Sequence, residues 1–288
     1  MERDNSVKKG FIPLDKSWMI RIGVLDLMHE REGETIKILE RESVLGDDLE
    51  ALLRALSVWR TEDIIDVGES GTLYRFLQFL SWKENLNKKF IKRGTLAVRS
   101  MCSDPSIIHW SLSKLLILDN STSQWASAAV LCGNSETIQD PPYKLVLTYE
   151  AVKCWDECWA KSVECEARYD QTILEQAETF LKLLKGEHPE FIPKQAEDYP
   201  FARTFNYIDA VGGERRWPNL RGHESDRIKE VEQELIRYKN SEPIESRDHR
   251  VVQALAMRAR VDKKEIKILY PEAVKKSWPQ FWSFLSNA

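Results

Sequence analysis

Apolar residues recur at helical spacing along most of the chain. Residues 18–30 carry Ile20, Val24, Leu25 and Met28 on one side. Residues 47–58 repeat Leu49, Leu52, Leu53 and Leu56 behind an acidic start that suits a helix N-terminus. The same spacing predicts helices over 72–82, 123–131, 147–157, 170–185, 225–238, 250–258 and 279–286. Short apolar runs between them read as strands, at 35–39, 64–67, 89–91, 114–118 and 265–269. Helices alternating with short strands argue an α/β chain. Residues 186–200 hold three prolines and little periodicity, so they read as a linker. No repeat or low-complexity tract stands out by spacing alone.

Composition narrows the classes. At 288 residues, 42% hydrophobic and 31% charged, the chain can bury a core, and disorder is not the default. A net charge of −4 argues against a global grip on nucleic acid, which needs a basic field. No run approaches the roughly 18 apolar residues of a membrane-spanning helix. The opening MERDNSVKK has no apolar stretch behind it to form a signal peptide. A soluble, cytoplasmic protein is the expectation. Five scattered cysteines suit a reducing compartment better than a disulfide framework. Cys154, Cys158 and Cys165 alternate with Trp155 and Trp159, but the spacing is not CxxC and no histidine is close in sequence. They read as packing residues, and no metal or organic cofactor is implied.

The candidate chemistry gathers at helix starts. In DKSWMIR, Lys16 and Ser17 open an amphipathic helix with Arg21 one turn later on the same face. Free backbone N–H groups, a hydroxyl and two cations there suit a phosphate or carboxylate. In VGESGTLYR, Gly68 and Gly71 flank Ser70, Thr72 follows, and Arg75 lies one turn into the next helix. Ser121, Thr122, Ser123 and Gln124 offer hydroxyls and an amide at a third start. LRGHESDR places Arg221 and Arg227 around Glu224, which suits a general acid or base. SRDHR sets Asp248, His249 and Arg250 before another helix, and VKKSWP sets Lys275, Lys276 and Ser277 before the last. Each alone reads first as a helix cap, a glycine turn or a solvated loop. Six together suit a site that encloses a multiply anionic substrate.

In that order, the pieces resemble the EPSP synthases, the enolpyruvyl transferases of the shikimate pathway. The matching residues are Lys16-Ser17 with Arg21, Asp47-Asp48, Gly68 to Thr72 with Arg75, Thr122-Ser123-Gln124, and Pro142-Tyr143 with Thr148. They continue with Asp198-Tyr199, Glu224 with Asp226-Arg227, Asp248-His249-Arg250 and Lys276-Ser277-Trp278-Pro279. The resemblance implies a two-lobed α/β fold of repeated βαβαββ units with a reduced C-terminal lobe. The lobes would be 14–185 and 1–13 plus 186–288, with substrates in the cleft that closes between them. It implies transfer of the enolpyruvyl (carboxyvinyl) group of phosphoenolpyruvate to the 5-hydroxyl of shikimate 3-phosphate, by a monomer without a cofactor. Lys16, Ser17, Arg21, Thr122, Ser123, Gln124 and Tyr143 would hold shikimate 3-phosphate. Arg227, Arg250 and Lys276 would hold phosphoenolpyruvate, near Gly71 and Thr72. Glu224 would move protons at the methylene carbon, and Lys276 and Lys16 would assist the chemistry.

Several positions depart from the family pattern. The chain is shorter, mainly between Tyr207 and Arg221, where a unit carrying the family's aspartate base is missing. His223 stands in place of a lysine. Glu69 replaces an asparagine and would repel anionic ligands. Asp104-Pro105 replaces an Arg-Pro pair, with Arg93 and Arg99 as possible substitutes. Asp198, Asp209 and Glu214 are the candidates for the lost base.

Overall fold

A computed structural model describes residues 9–118, 122–133, 141–221 and 226–288. It divides into two compact units, Leu14–Arg168 and Met1–Pro13 with Tyr169–Ala288. We refer to them as the N-terminal and C-terminal units.

Eight helices build the N-terminal unit among the described residues: α1 (Lys16–Met28), α2 (Glu32–Glu40), α3 (Asp47–Val58), α4 (Gly71–Lys83), α5 (Gly94–Ala97), α6 (Leu112–Leu118), α7 (Gln124–Leu131) and α8 (Val146–Lys161). The expected amphipathic stripe on α1 is wider than its spacing suggests. Every residue from Trp18 to Leu27 is buried, so α1 is the central helix of its unit, wrapped by α2, α3, α4 and α8. Gly23 allows the closest approach: a Cβ there would lie 3.1 Å from Leu52 Cδ1 on α3. Strands β1 (Ile64–Asp66) and β2 (Lys89–Ile91) pair in parallel, with Ile65 opposite Phe90, and α4 connects them. This β1–α4–β2 crossover is the α/β element of the described residues, and helices make up most of the rest.

Two expected strands are helical instead. Residues 35–39 lie in α2, which buries Thr35, Ile38 and Leu39 at helical spacing. Residues 114–118 lie in α6, which buries Leu112 and Leu115 and leaves Ile117 exposed. Short apolar runs carry both periodicities, and packing on one face decides between them. A third run, 265–269, contributes one parallel bridge, Ile244 to Ile268, rather than a strand.

The C-terminal unit contains α9 (Gln171–Leu184), α10 (Tyr199–Thr204), α11 (Ala210–Arg216), α12 (Arg227–Lys239), α13 (His249–Val261) and α14 (Phe281–Asn287). Its larger core joins Ile173, Phe180, Phe201, Val252, Trp278 and Phe281. The break between units therefore falls at 168/169 rather than at 185/186, because α9 packs into this core. The proline-rich stretch 186–200 is not a free linker. Its Asp198 is buried, accepting from Gln176 Nε2 at 2.9 Å and from the Lys194 backbone N–H at 2.8 Å. Pro189 O accepts from Tyr207 Oη. Among the described residues, no helix is long and apolar enough to cross a membrane.

Candidate functional site

In the N-terminal unit, five helix starts supply side chains to three separate hydrogen-bonded groups: Lys16 with Asp48, Gln124 with Thr72 and Arg75, and Arg21 with Thr148 and Ser127. Asp15 caps α1 by accepting from the Trp18 N–H, which places Lys16 at the first helical position. Lys16 Nζ reaches Asp48 Oδ2 in the first turn of α3 at 2.9 Å. Ser70 caps α4, and Gly71 and Thr72 open that helix. Gln124 opens α7, donating through Nε2 to Thr72 Oγ1 at 2.6 Å and accepting at Oε1 from Arg75 Nη1 at 2.5 Å. These two bonds fix which end of the amide faces which partner. Ser123 Oγ donates to Lys144 O, just before α8.

Arg21 is the most confined of these cations. Its Nε donates to Thr148 Oγ1 at 2.9 Å, its Nη1 donates to Ser17 O at 2.6 Å, and its guanidinium lies 5.4 Å from the Phe76 ring centre. Thr148 Oγ1 in turn donates to Ser127 Oγ at 3.0 Å. Burial holds the Arg21 guanidinium down to about 10, partly offset by the charge of Asp15. It therefore stays charged at neutral pH, resting on a hydroxyl, a carbonyl and an aromatic face.

Two departures read from the sequence take definite positions. Glu69 turns toward α5, where it accepts from the Thr95 N–H at 3.4 Å, so its charge serves a helix start. Gly94 sits at φ +45°, which favours glycine, and an added Cβ would fall 1.8 Å from Glu69 Oε1 and push that carboxylate aside. Asp104 caps its own turn through the Ser106 N–H and hydroxyl, which keep its carboxyl below the usual range. Of the possible substitutes for the missing arginine, Arg93 is held by both oxygens of Asp66. Arg99 approaches Gly71, where an added Cβ would lie 3.7 Å from its Nη1.

The C-terminal unit supplies a second group. Asp248 caps α13, accepting from the N–H groups of Arg250 at 2.9 Å and Val251 at 3.4 Å, and its Oδ2 accepts from Arg227 Nε at 2.8 Å. Burial works against the Asp248 carboxylate, but Arg227 and these bonds hold its pKa below the usual range. Asp198 shows the opposite balance: burial outweighs its hydrogen bonds and pushes it up. Arg250 is buried, and its Nη1 finds no hydrogen-bond partner among the described residues. Lys276 ends the 3₁₀ turn Pro271–Lys276 and is half-buried, next to Ser277, whose hydroxyl accepts from Gln253 Nε2.

In the N-terminal unit, the structure thus joins Thr72 to Gln124, with Thr122 at the Gln124 N–H, and separately joins Arg21 to the Ser17 carbonyl and Lys16 to Asp48. It joins Arg227 and Arg250 around Asp248 in the other. Tyr143 stands apart, 81% exposed on its turn. His223 and Glu224, the expected proton-transfer residue, lie outside the described residues. Sequence reasoning missed Ser127, whose signal was its place one turn after Ser123, and Gln176, which carried none. It also missed that Cys154, Cys158 and Cys165 come together, with their sulfurs within 4.8 Å of one another. Comparison with family models, curated proteins and solved structures finds no match to this chain.

Proposed function

We propose that the protein transfers the enolpyruvyl group of phosphoenolpyruvate to the 5-hydroxyl of shikimate 3-phosphate, releasing phosphate. One observation carries this reading. Arg21 on α1, assigned by the motif order to the phosphorylated acceptor, bonds Thr148 and through it Ser127 on α7, the helix that the likewise assigned Gln124 opens. The starts of α1 and α7 present backbone N–H groups and a positive dipole end, and Arg21 adds a buried charge on neutral partners. The finer expectation, repeated βαβαββ units, belongs with this proposal. Its support is the single parallel β1–α4–β2 crossover, set among described residues that are otherwise mostly helical.

In the reaction, the acceptor hydroxyl gives its proton to a carboxylate base as its oxygen bonds to the enol carbon, and a proton is added at the methylene carbon, so the double bond becomes single. Loss of that added proton then expels phosphate and restores the double bond. Glu224 carries the proton at carbon, and Lys276, Arg227 and Arg250 orient the carboxylate and phosphate of phosphoenolpyruvate. The unpartnered Arg250 Nη1 is a buried donor suited to such an anion.

A second reading, a non-catalytic relative that binds the same anions, is favoured by Asp104, which caps a turn where the family pattern has a clamping arginine. Phosphate release from phosphoenolpyruvate separates the two. Release that requires shikimate 3-phosphate and collapses in Lys16→Ala and Glu224→Ala supports transfer. Binding of either ligand without release rejects transfer and favours the second reading.

A further inference from the structure

We propose that Cys154, Cys158 and Cys165 form a binding site for a thiophilic divalent ion of the zinc class, with a fourth, exchangeable ligand. Cys154 and Cys158 lie one turn apart on α8 and project from the same face, the i, i+4 spacing by which helices present paired ligands. The third ligand is delivered by a chain reversal. Ser162 ends α8 at φ +54°, a left-handed conformation costly for a residue other than glycine, and its N–H donates to Trp159 O. The Val163 N–H then bonds back to Cys158 O at 3.0 Å. Two residues later Cys165 lies against the helix, and all three sulfurs fall within 4.8 Å of one another. A tetrahedral zinc with bonds of about 2.3 Å needs sulfurs about 3.8 Å apart, so a contraction of about 1 Å or less closes the set.

The surroundings suit an ion. Cys158 and Cys165 line a cavity of about 10 Å³ together with Asp26, Arg31, Glu34 and Trp155. Three thiolates around a divalent ion leave one net negative charge, and the Arg31 guanidinium is placed to offset it. Asp26 is already committed as a support: it accepts from Trp155 Nε1 at 2.8 Å and from Thr35 Oγ1 at 2.6 Å, which fixes the Trp155 ring in the cavity wall. Three crowded thiols gain little from packing alone, whereas a cation draws all three into the thiolate form.

The test titrates Co²⁺ alone into the reduced, full-length protein. One Co²⁺ per chain should bind, with tetrahedral visible bands and a thiolate-to-cobalt charge-transfer band, and Zn²⁺ should displace it. Cys154→Ser, Cys158→Ser and Cys165→Ser should each weaken binding by at least about 100-fold, more than loss of an outer partner costs. Cys102→Ser and Cys132→Ser should bind as the wild type does. Absence of the charge-transfer band, or its persistence in Cys158→Ser, overturns the proposal. A second readout needs no variant: Zn²⁺ should protect these three cysteines of the wild type from alkylation, located by peptide mass. Equal alkylation with and without Zn²⁺ also overturns it.

Discussion

The two units hold their candidate anion-binding arginines in opposite ways. In the N-terminal unit, Arg21 is buried on a threonine hydroxyl, a backbone carbonyl and a phenyl face. In the C-terminal unit, Arg227 is paired to the buried carboxylate of Asp248, which also caps α13. A cation on neutral partners keeps its full charge for a ligand, and desolvation makes an anion welcome there. A cation already matched by a carboxylate is positioned rather than free, and its field at a ligand is partly cancelled. Under the proposed function, one unit would grip the acceptor phosphate by charge, and the other would align its ligand by geometry.

The largest expected effect breaks the matched pair. Asp248→Ala removes the buried carboxylate that accepts from Arg227 and uncaps α13, and urea unfolding should show a loss of about 3 kcal/mol at neutral pH. A loss below about 1 kcal/mol would mean the pair is solvated and the contrast is false. The effect should also depend on pH with a definite sign. The folded pKa of Asp248 is depressed, so its contribution is present above the unfolded aspartate value and lost as pH falls through the folded one. The gap between wild type and Asp248→Asn should therefore close on strong acidification. Asp198, pushed up by burial, should titrate above Asp248 by carboxyl carbon NMR.

Next in size is Gly71→Ala. The new Cβ would meet Arg75 Nη1 at 3.1 Å, displacing the guanidinium that holds Gln124. Phosphate release should fall by about 100-fold while stability changes little. Arg21→Met sharpens the contrast directly. Replacing a buried cation with an apolar chain should leave stability within about 1 kcal/mol, since Thr148 keeps Ser127 as a partner. Binding of shikimate 3-phosphate, followed by calorimetry, should nevertheless be lost. The smallest effect is Gln124→Ala, about 1 kcal/mol by thermal unfolding, from the lost bonds to Thr72 and Arg75.

Helix starts were legible in the sequence because capping chemistry is local. Residues 47–58 form a helix over the expected span, and Asp15, Ser70, Asp170, Asp226 and Asp248 all cap through their own side chains. The pairing of those starts was not legible. Arg21 and Thr148 are 127 residues apart, and nothing local announces their bond. The strands at 35–39 and 114–118 were misread because Ile and Leu runs satisfy both periods until one face is buried. The three cysteines read as packing residues for a related reason: their convergence depends on Ser162 adopting a left-handed conformation usually taken by glycine or asparagine.

The most direct test of the proposed activity follows the transferred group itself. The full-length protein would be incubated with shikimate 3-phosphate and phosphoenolpyruvate carrying carbon-13 at the enol carbon, and the label followed by NMR. The account expects a new enol ether signal that grows in step with free phosphate and needs the acceptor. Label that stays in phosphoenolpyruvate, with protein that is folded and binds both substrates, would contradict it.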